Sequence, residues 1–184
     1  MIGIIIQARL GSSRLPCKIM LKLPTGRSVL EEVIYNCKQS GLKTVVASDT
    51  DLFGLADFIG STDDVWKRYV DCAKFFNFDT IVRVTSDCPL VTGDIIKEVV
   101  NIYLCGKTEY AYNHNDHDER GDEYEGYDVE VFSLKDLIRY GKDKEHVTGN
   151  LRKRAEKIRV KPPDNNGLSI NTIEDYEKIY RMLQ

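Results

Sequence analysis

Residues 2–7 form an unbroken apolar run, rich in β-branched side chains, that ends in a polar loop holding Gly11, Ser12, Ser13 and Pro16. A short run without alternation predicts a strand buried on both faces, here the first strand of a parallel sheet. The period then changes. Ser28 and Glu31 make a capping box, Val29, Leu30, Val33, Ile34 and Cys37 recur at helical spacing, and Gly41 stands where a C-terminal cap belongs. Residues 43–48 repeat the buried-strand pattern, and Ser61 opens a second predicted helix with an apolar stripe of Val65, Tyr69, Cys72, Ala73 and Phe76. A third strand follows at 80–85, then a loop at 86–93, then a helix over 94–104 carrying Ile95, Ile96, Val99, Val100 and Tyr103.

Strands alternating with amphipathic helices imply right-handed β-α-β units, hence an α/β fold with helices on both faces of a mainly parallel sheet. Ligands in such folds sit at the carboxyl ends of the strands. Beyond residue 105 the pattern loosens. It predicts strands at 109–112 and 127–132, helical stretches near 134–141 and 143–156, and a last helix from Ile173, which points to a mixed sheet or an added arm. No repeat, low-complexity tract or linker longer than 113–126 divides the 184 residues. The expectation is one domain over 1–184, with an arm or lid within 109–133, whose folding buries roughly 70% of the extended chain's surface.

Composition narrows the partners. With 42% hydrophobic and 30% charged residues the chain is unlike a disordered one. The 26 basic and 29 acidic side chains leave a formal charge of −3, so no global field holds nucleic acid or a membrane surface. An anionic ligand needs a local site. Five cysteines, at 17, 37, 72, 88 and 105, are odd in number and form no C-x-x-C pair, against a disulfide framework or a zinc ribbon. With Gln7 and Arg9 ending the first apolar run too early for a signal peptide or a membrane span, the expected location is the cytoplasm.

The candidate chemistry lies in the loop after the first strand, Gln7-Ala8-Arg9-Leu10-Gly11-Ser12-Ser13-Arg14-Leu15-Pro16-Cys17-Lys18. Three cations, two hydroxyls and a glycine leave the carboxyl end of a buried strand, where backbone N–H groups and fixed positive charge can cradle phosphates. The spacing is neither a Walker A loop nor a G-x-G-x-x-G turn. A polar turn with solvated cations is the plainer alternative.

The string A-R-x-x-S-[ST]-R-L-P-x-K resembles the nucleotide-binding loop of the CMP-sugar synthetases, the cytidylyltransferases that activate sialic acid and Kdo, and most closely their spore coat polysaccharide branch. Further segments match in order: G-S-x-D-D-V-x-x-R-Y at 60–69, V-R-V-T-S-D-C-P-L at 82–90, D-V-E-V-F-S at 128–133, E-H-V-T at 145–148, and [DN]-T-x-E-D at 171–175. The resemblance implies a Rossmann-like nucleotidyltransferase fold. It also implies a reaction of CTP with an acidic sugar, with Mg2+, giving a CMP-sugar and pyrophosphate for a surface glycan. By the same resemblance Ala8 and Arg9 lie beside the nucleoside, Gly11, Ser12, Ser13 and Ser86 belong to the nucleotide site, Arg14 and Lys18 contact the far phosphates, and Asp87 holds the metal. In-line attack on an α-phosphorus builds negative charge on phosphoryl oxygens, which Arg9, Arg14 and Lys18 suit as stabilisers.

The chain also departs from that family. Asn171 stands where the family has its second metal-ligating Asp, so the site either uses the amide oxygen, recruits Asp128 or Glu130, or belongs to a paralogue that holds nucleotide without turnover. Cys17 occupies a position that is usually Gly, which implies either negative φ or tolerated strain. The connection between Asp49 and Gly60 is short. Residues 114–126 carry six carboxylates against one arginine. They read as a solvated loop or lid over the sugar rather than a metal cluster built on His114 and His117. His146 is a weak candidate for a base. The run Arg152, Lys153, Arg154, Lys157, Arg159, Lys161 reads as a solvated helix face leading into a strand. Pairing as a homodimer through the arm is expected by resemblance only.

Overall fold

The computed structural model describes residues 1–113, 126–142, 146–161 and 167–184. Among these, strands β1 (Ile2–Gln7), β2 (Lys43–Ser48), β3 (Phe58–Ile59), β4 (Thr80–Thr85), β5 (Tyr110–Tyr112), β6 (Val129–Ser133) and β7 (Lys157–Arg159) make one sheet in the order β3-β2-β1-β4-β6-β5-β7. β1 pairs in parallel with β2 and β4, whereas β6 runs antiparallel to both β4 and β5. The sheet is therefore mixed, with a reversed strand in its second half. The helices are α1 (Val29–Lys38), α2 (Val65–Phe75), α3 (Gly93–Cys105), α4 (Leu134–Tyr140), α5 (Gly149–Arg154) and α6 (Ile173–Met182).

The unbroken apolar run of β1 is explained by two cores. Ile4 and Ile6 point to one face, where Val82 and Val84 meet Leu30, Val33 and Cys37 of α1 and Ile96 and Val99 of α3. Ile5 points to the other, where Ile81 meets Tyr69, Cys72 and Ala73 of α2 and Leu151 of α5. Period-2 alternation is present, but both faces are dry.

Several boundaries differ from the pattern-based expectation. α2 starts at Val65 with Asp64 as its cap, while Ser61 Oγ accepts from Asp64 N at 3.1 Å and so shapes the turn before it. β3 is two residues long, too short to leave a period. The helix expected over 143–156 is confined to Gly149–Arg154, and 143–145 lie outside the described residues. Residues 110–112 and 129–133, within the segment expected to form an arm or lid, are strands of the sheet, and the acidic stretch 114–125 lies outside the described residues.

The capping box of α1 forms as expected: Ser28 Oγ accepts from Glu31 N, and Ser28 N donates to the Glu31 carboxylate at 2.6 Å. That backbone N–H, helped by Lys22, lowers the Glu31 pKa to about 2. Ser28→Ala should cost about 1 kcal/mol and lower Tm by roughly 2–4 °C in a thermal melt. Separately, the depressed Glu31 carboxyl stabilises above its unfolded pKa, so its contribution is kept at neutral pH and fades as pH falls from about 4.5 towards 2.

Candidate active site

Register brings two loops side by side. Gln7 of β1 pairs with Thr85 of β4, so the segment 8–18 and the turn Ser86-Asp87 leave the sheet at the same level. Asn36 of α1 steadies the second loop by donating to Pro89 O at 2.9 Å. Between them opens a cleft of about 220 Å3 whose lining includes Arg9, Ser12, Ser13, Arg14, Lys18, Ser86, Asp87 and Asn171.

The first loop folds back on itself. Ser12 N and Cys17 N both donate to Leu10 O, and Leu15 N donates to Ser12 Oγ. Cys17 then adopts φ 55 and ψ 22 to start a short 3-10 helix at Lys18–Met20. Of the two readings of this position, the left-handed one is observed, the conformation that a glycine adopts without cost.

Lys18 is the centre of the cleft. Its Nζ donates to Asp87 Oδ2 at 2.6 Å and to Ile170 O at 2.5 Å, with Asn171 Oδ1 at 3.4 Å. Arg14 Nη2 reaches the same Asn171 oxygen at 2.8 Å, while Asn171 Nδ2 donates to Ser169 Oγ and fixes the amide's orientation. Asn171 is placed by the start of α6, where Thr172 and Asp175 form a capping box and Asn171 N donates to Asp175 Oδ2 at 3.0 Å. A backbone bond from Ile170 N to Asp87 O completes the seam. Sequence positions 18, 87 and 171 thus converge on one ammonium.

Other expected residues fall elsewhere. Ala8 is fully buried in the α1–α3 core and its N donates to Ala47 O at 3.1 Å. Gly11 is exposed and a Cβ there would meet nothing. Asp128 is half-buried outside the cleft lining, where with Asp87 it adds to the burial that pushes the Cys88 thiol up. Glu130, also considered as a metal ligand, is fully buried and accepts from Arg83 and Arg152, which removes it from reach of a bound cation. Arg152 turns inwards, so the basic run is not wholly a solvated face. His146 is exposed and does not line the cleft, and His114 and His117 lie outside the described residues.

The cleft holds residues the sequence did not single out: Gln7, Arg83 and Thr85. For Arg83 the signal is a lone cation inside the apolar strand TIVRVT. Outside the cleft lining, Arg68 of α2 is 1% exposed, with Nε and Nη2 donating to Ser61 O at 2.9 and 2.6 Å. Burial lowers its pKa, Asp49 opposes this, and the positive field of Arg9 adds to the lowering.

A family model for cytidylyltransferases matches residues 3–181. The chain belongs to the cytidylyltransferase family. It is 31% identical to the uncharacterized protein MJ1063 of Methanocaldococcus jannaschii over 98% of this chain and 82% of that protein. It is 27% identical to the spore coat polysaccharide biosynthesis protein SpsF of Bacillus subtilis, over 98% and 85%. Among solved structures, a cytidylyltransferase from Leptospira borgpetersenii superposes with a TM-score of 0.83 at 29% identity, covering 97% of this chain and 84% of that one. A CMP:2-keto-3-deoxy-manno-octonic acid synthetase complexed with CTP shares the fold at a TM-score of 0.74 and 16% identity, covering 98% and 97%. These neighbours bear out the α/β, Rossmann-like nucleotidyltransferase architecture. Among the described residues no helix is long and apolar enough to cross a membrane.

Proposed function

We propose that this cytidylyltransferase transfers CMP from CTP to a hydroxyl of an acidic sugar, releasing pyrophosphate, in the making of a surface glycan. The observation that carries this reading is the convergence of Arg9, Ser12, Ser13, Arg14 and Lys18 over Asp87 in one cleft at the carboxyl ends of β1 and β4. The spore coat role of the Bacillus relative supports the glycan. The synthetase whose fold the chain shares supports an acidic acceptor.

In the reaction the acceptor oxygen bonds to the α-phosphorus as the bond to the bridging oxygen of pyrophosphate breaks. The loop's part is positioning and charge: Ser12 and Ser13 donate to phosphate oxygens, the Arg14 fork and the Lys18 ammonium take up the negative charge of the leaving pyrophosphate, and Arg9 lies beside the nucleoside. For Mg2+ the donor set is Asp87, with the amide oxygen of Asn171 beside it. One carboxylate and a neutral oxygen fit a hard cation that completes its shell with phosphate oxygens and water. When bound, the ion would neutralise phosphate charge and hold the triphosphate in line. No group of three His, Cys, Asp or Glu among the described residues offers a closed metal cage.

Incubation with each of the four nucleoside triphosphates, Mg2+ and a panel of acidic sugars, with pyrophosphate measured, tests the reading. CTP-dependent release with an acidic sugar is the expected result. Tight CTP binding with no release for any acceptor favours the second reading, a nucleotide-holding paralogue, which Asn171 motivates. For Asn171→Asp we expect the Mg2+ concentration at half-maximal rate to fall about fivefold, the response to ~1 kcal/mol from one added unit charge at a solvated site. Arg14 and Lys18, which already face Asn171 Oδ1, offset repulsion from Asp87. An unchanged Mg2+ titration would place Asn171 outside the metal's shell.

A further inference from the structure

Arg83 lies on β4 between Val82 and Val84, whose side chains enter the α1–α3 core, so strand alternation turns it to the opposite face, toward α5. Register sets it opposite Glu130 of β6. Its Nη1 donates to Glu130 Oε1 at 2.6 Å, and Arg152 of α5 donates to that same oxygen. Two buried guanidiniums thus share one buried carboxylate. Burial disfavours both charges, yet Glu130 raises both pKa values above the ordinary arginine range, so both stay cationic. Tyr69, Asp128 and Tyr110 add weaker fields at Arg83.

Neutralising Glu130 requires one arginine, and Arg152 already serves. The second is the one that reaches the cleft: the Arg83 side chain is 15% exposed and lines it. With Nη1 committed to Glu130, the edge left is the Nε–Nη2 fork, and Nε is buried without a hydrogen-bond partner. Buried donors are normally satisfied. Thr85, two residues on, lies on the same face, and Gln7 is level with it on β1, so a polar track leads from Arg83 up to the phosphate loop. Arg14 and Lys18 are held by a different set of partners, Asn171 and Ile170. The cleft therefore has two separate cationic centres, and the phosphate loop accounts for only one.

We propose that Arg83, braced by Glu130 and backed by Arg152, is the anchor for the carboxylate of the acceptor sugar and sets the preference for acidic over neutral acceptors. The proposal rests on the transferase reading above. A planar carboxylate meets the Nε–Nη2 edge side-on through two parallel bonds, a geometry that a lysine or a neutral ester cannot reproduce.

The test compares wild type with Arg83→Met and Arg83→Lys. The probes are a panel of sugar acids that includes 2-keto-3-deoxy-manno-octonate and N-acetylneuraminate, each paired with its methyl ester. Binding is measured by calorimetry on protein loaded with a non-hydrolysable CTP analogue, and turnover by pyrophosphate release. Wild type should bind a preferred acid about 10–100-fold more tightly than its ester. Arg83→Met should abolish that preference while ester affinity and CTP affinity hold, and Arg83→Lys should restore it in part. Melting of Arg83→Met should stay near wild type, because Arg152 still neutralises Glu130. Equal binding of acid and ester by wild type, failure of every acid to bind, or a matching loss of CTP affinity in Arg83→Met would each overturn the anchor. Arg83-dependent acid binding without pyrophosphate release would keep the anchor and sink the transferase reading. Equal turnover of acid and ester would do the reverse.

Discussion

Lys18→Met should lower kcat/KM for CTP by about 10²–10³-fold, the loss expected when a preorganised charge stabiliser is removed from a phosphoryl-transfer site. The geometry singles out this residue within the loop. Its ammonium touches Asp87, Ile170 O and Asn171, so it ties the β4 turn to the start of α6 as well as lining the cleft proposed to take the phosphates. Arg14 makes one contact to Asn171 and is more exposed, and its loss should be less severe. Lys18→Arg should not rescue the rate, since a planar fork cannot aim three donors from one nitrogen at oxygens arranged around a point. Folding stability should move little, because Asp87 keeps partial contact with water at 24% side-chain exposure. Steady-state pyrophosphate release, with CTP calorimetry alongside, gives the answer. Wild-type kcat/KM in Lys18→Met would take the loop out of the chemistry.

The first hundred residues were legible because each local signal agreed with the global fold. β1, β2 and β4 occupy the residues their apolar runs mark, and α1 begins at its capping box but ends at Lys38 with Gln39 as its cap, two residues before Gly41. β3 leaves no signal because two residues carry no period, and the pattern starts α2 too early because Ser61 and Asp64 are both capping types one turn apart. The second half was harder for a different reason. β5 lies within the strand expected at 109–112 and β7 where the basic run was expected to lead into a strand, but the pairing of β7 alongside β5 is non-local and no window of sequence displays it.

The candidate site divides along the same line. The loop 8–18 could be read because its cations are contiguous, whereas Asn171 meets Lys18 from 153 positions away and was reachable only through the family resemblance. Gln7, Arg83 and Thr85 became site residues through cross-strand register alone. Arg68 hides for a further reason. A cation next to the apolar stripe of α2 reads as solvated, and only the structure shows its guanidinium folded under Ser61 O.

Glu130→Gln should destabilise the protein by about 3–5 kcal/mol, the cost of removing one partner from a buried ion cluster. Glu130 is fully buried, and Arg83 and Arg152, with side chains 15% and 13% exposed, both donate to its Oε1. The amide keeps the shape and an acceptor oxygen but withdraws the charge that holds two guanidiniums in a dry layer between β4, β6 and α5. The contrast with Arg83→Met is the informative part. That change leaves one carboxylate and one arginine, a balanced pair, and should cost far less. The double variant Glu130→Gln with Arg83→Met should then be more stable than the two single losses added together, since it leaves one uncompensated arginine where Glu130→Gln alone leaves two. Urea unfolding of the four proteins measures this. A small, additive loss in Glu130→Gln would mean that water reaches the two guanidiniums freely, and the layer that turns Arg83 toward the cleft would then not be the rigid brace inferred from its geometry.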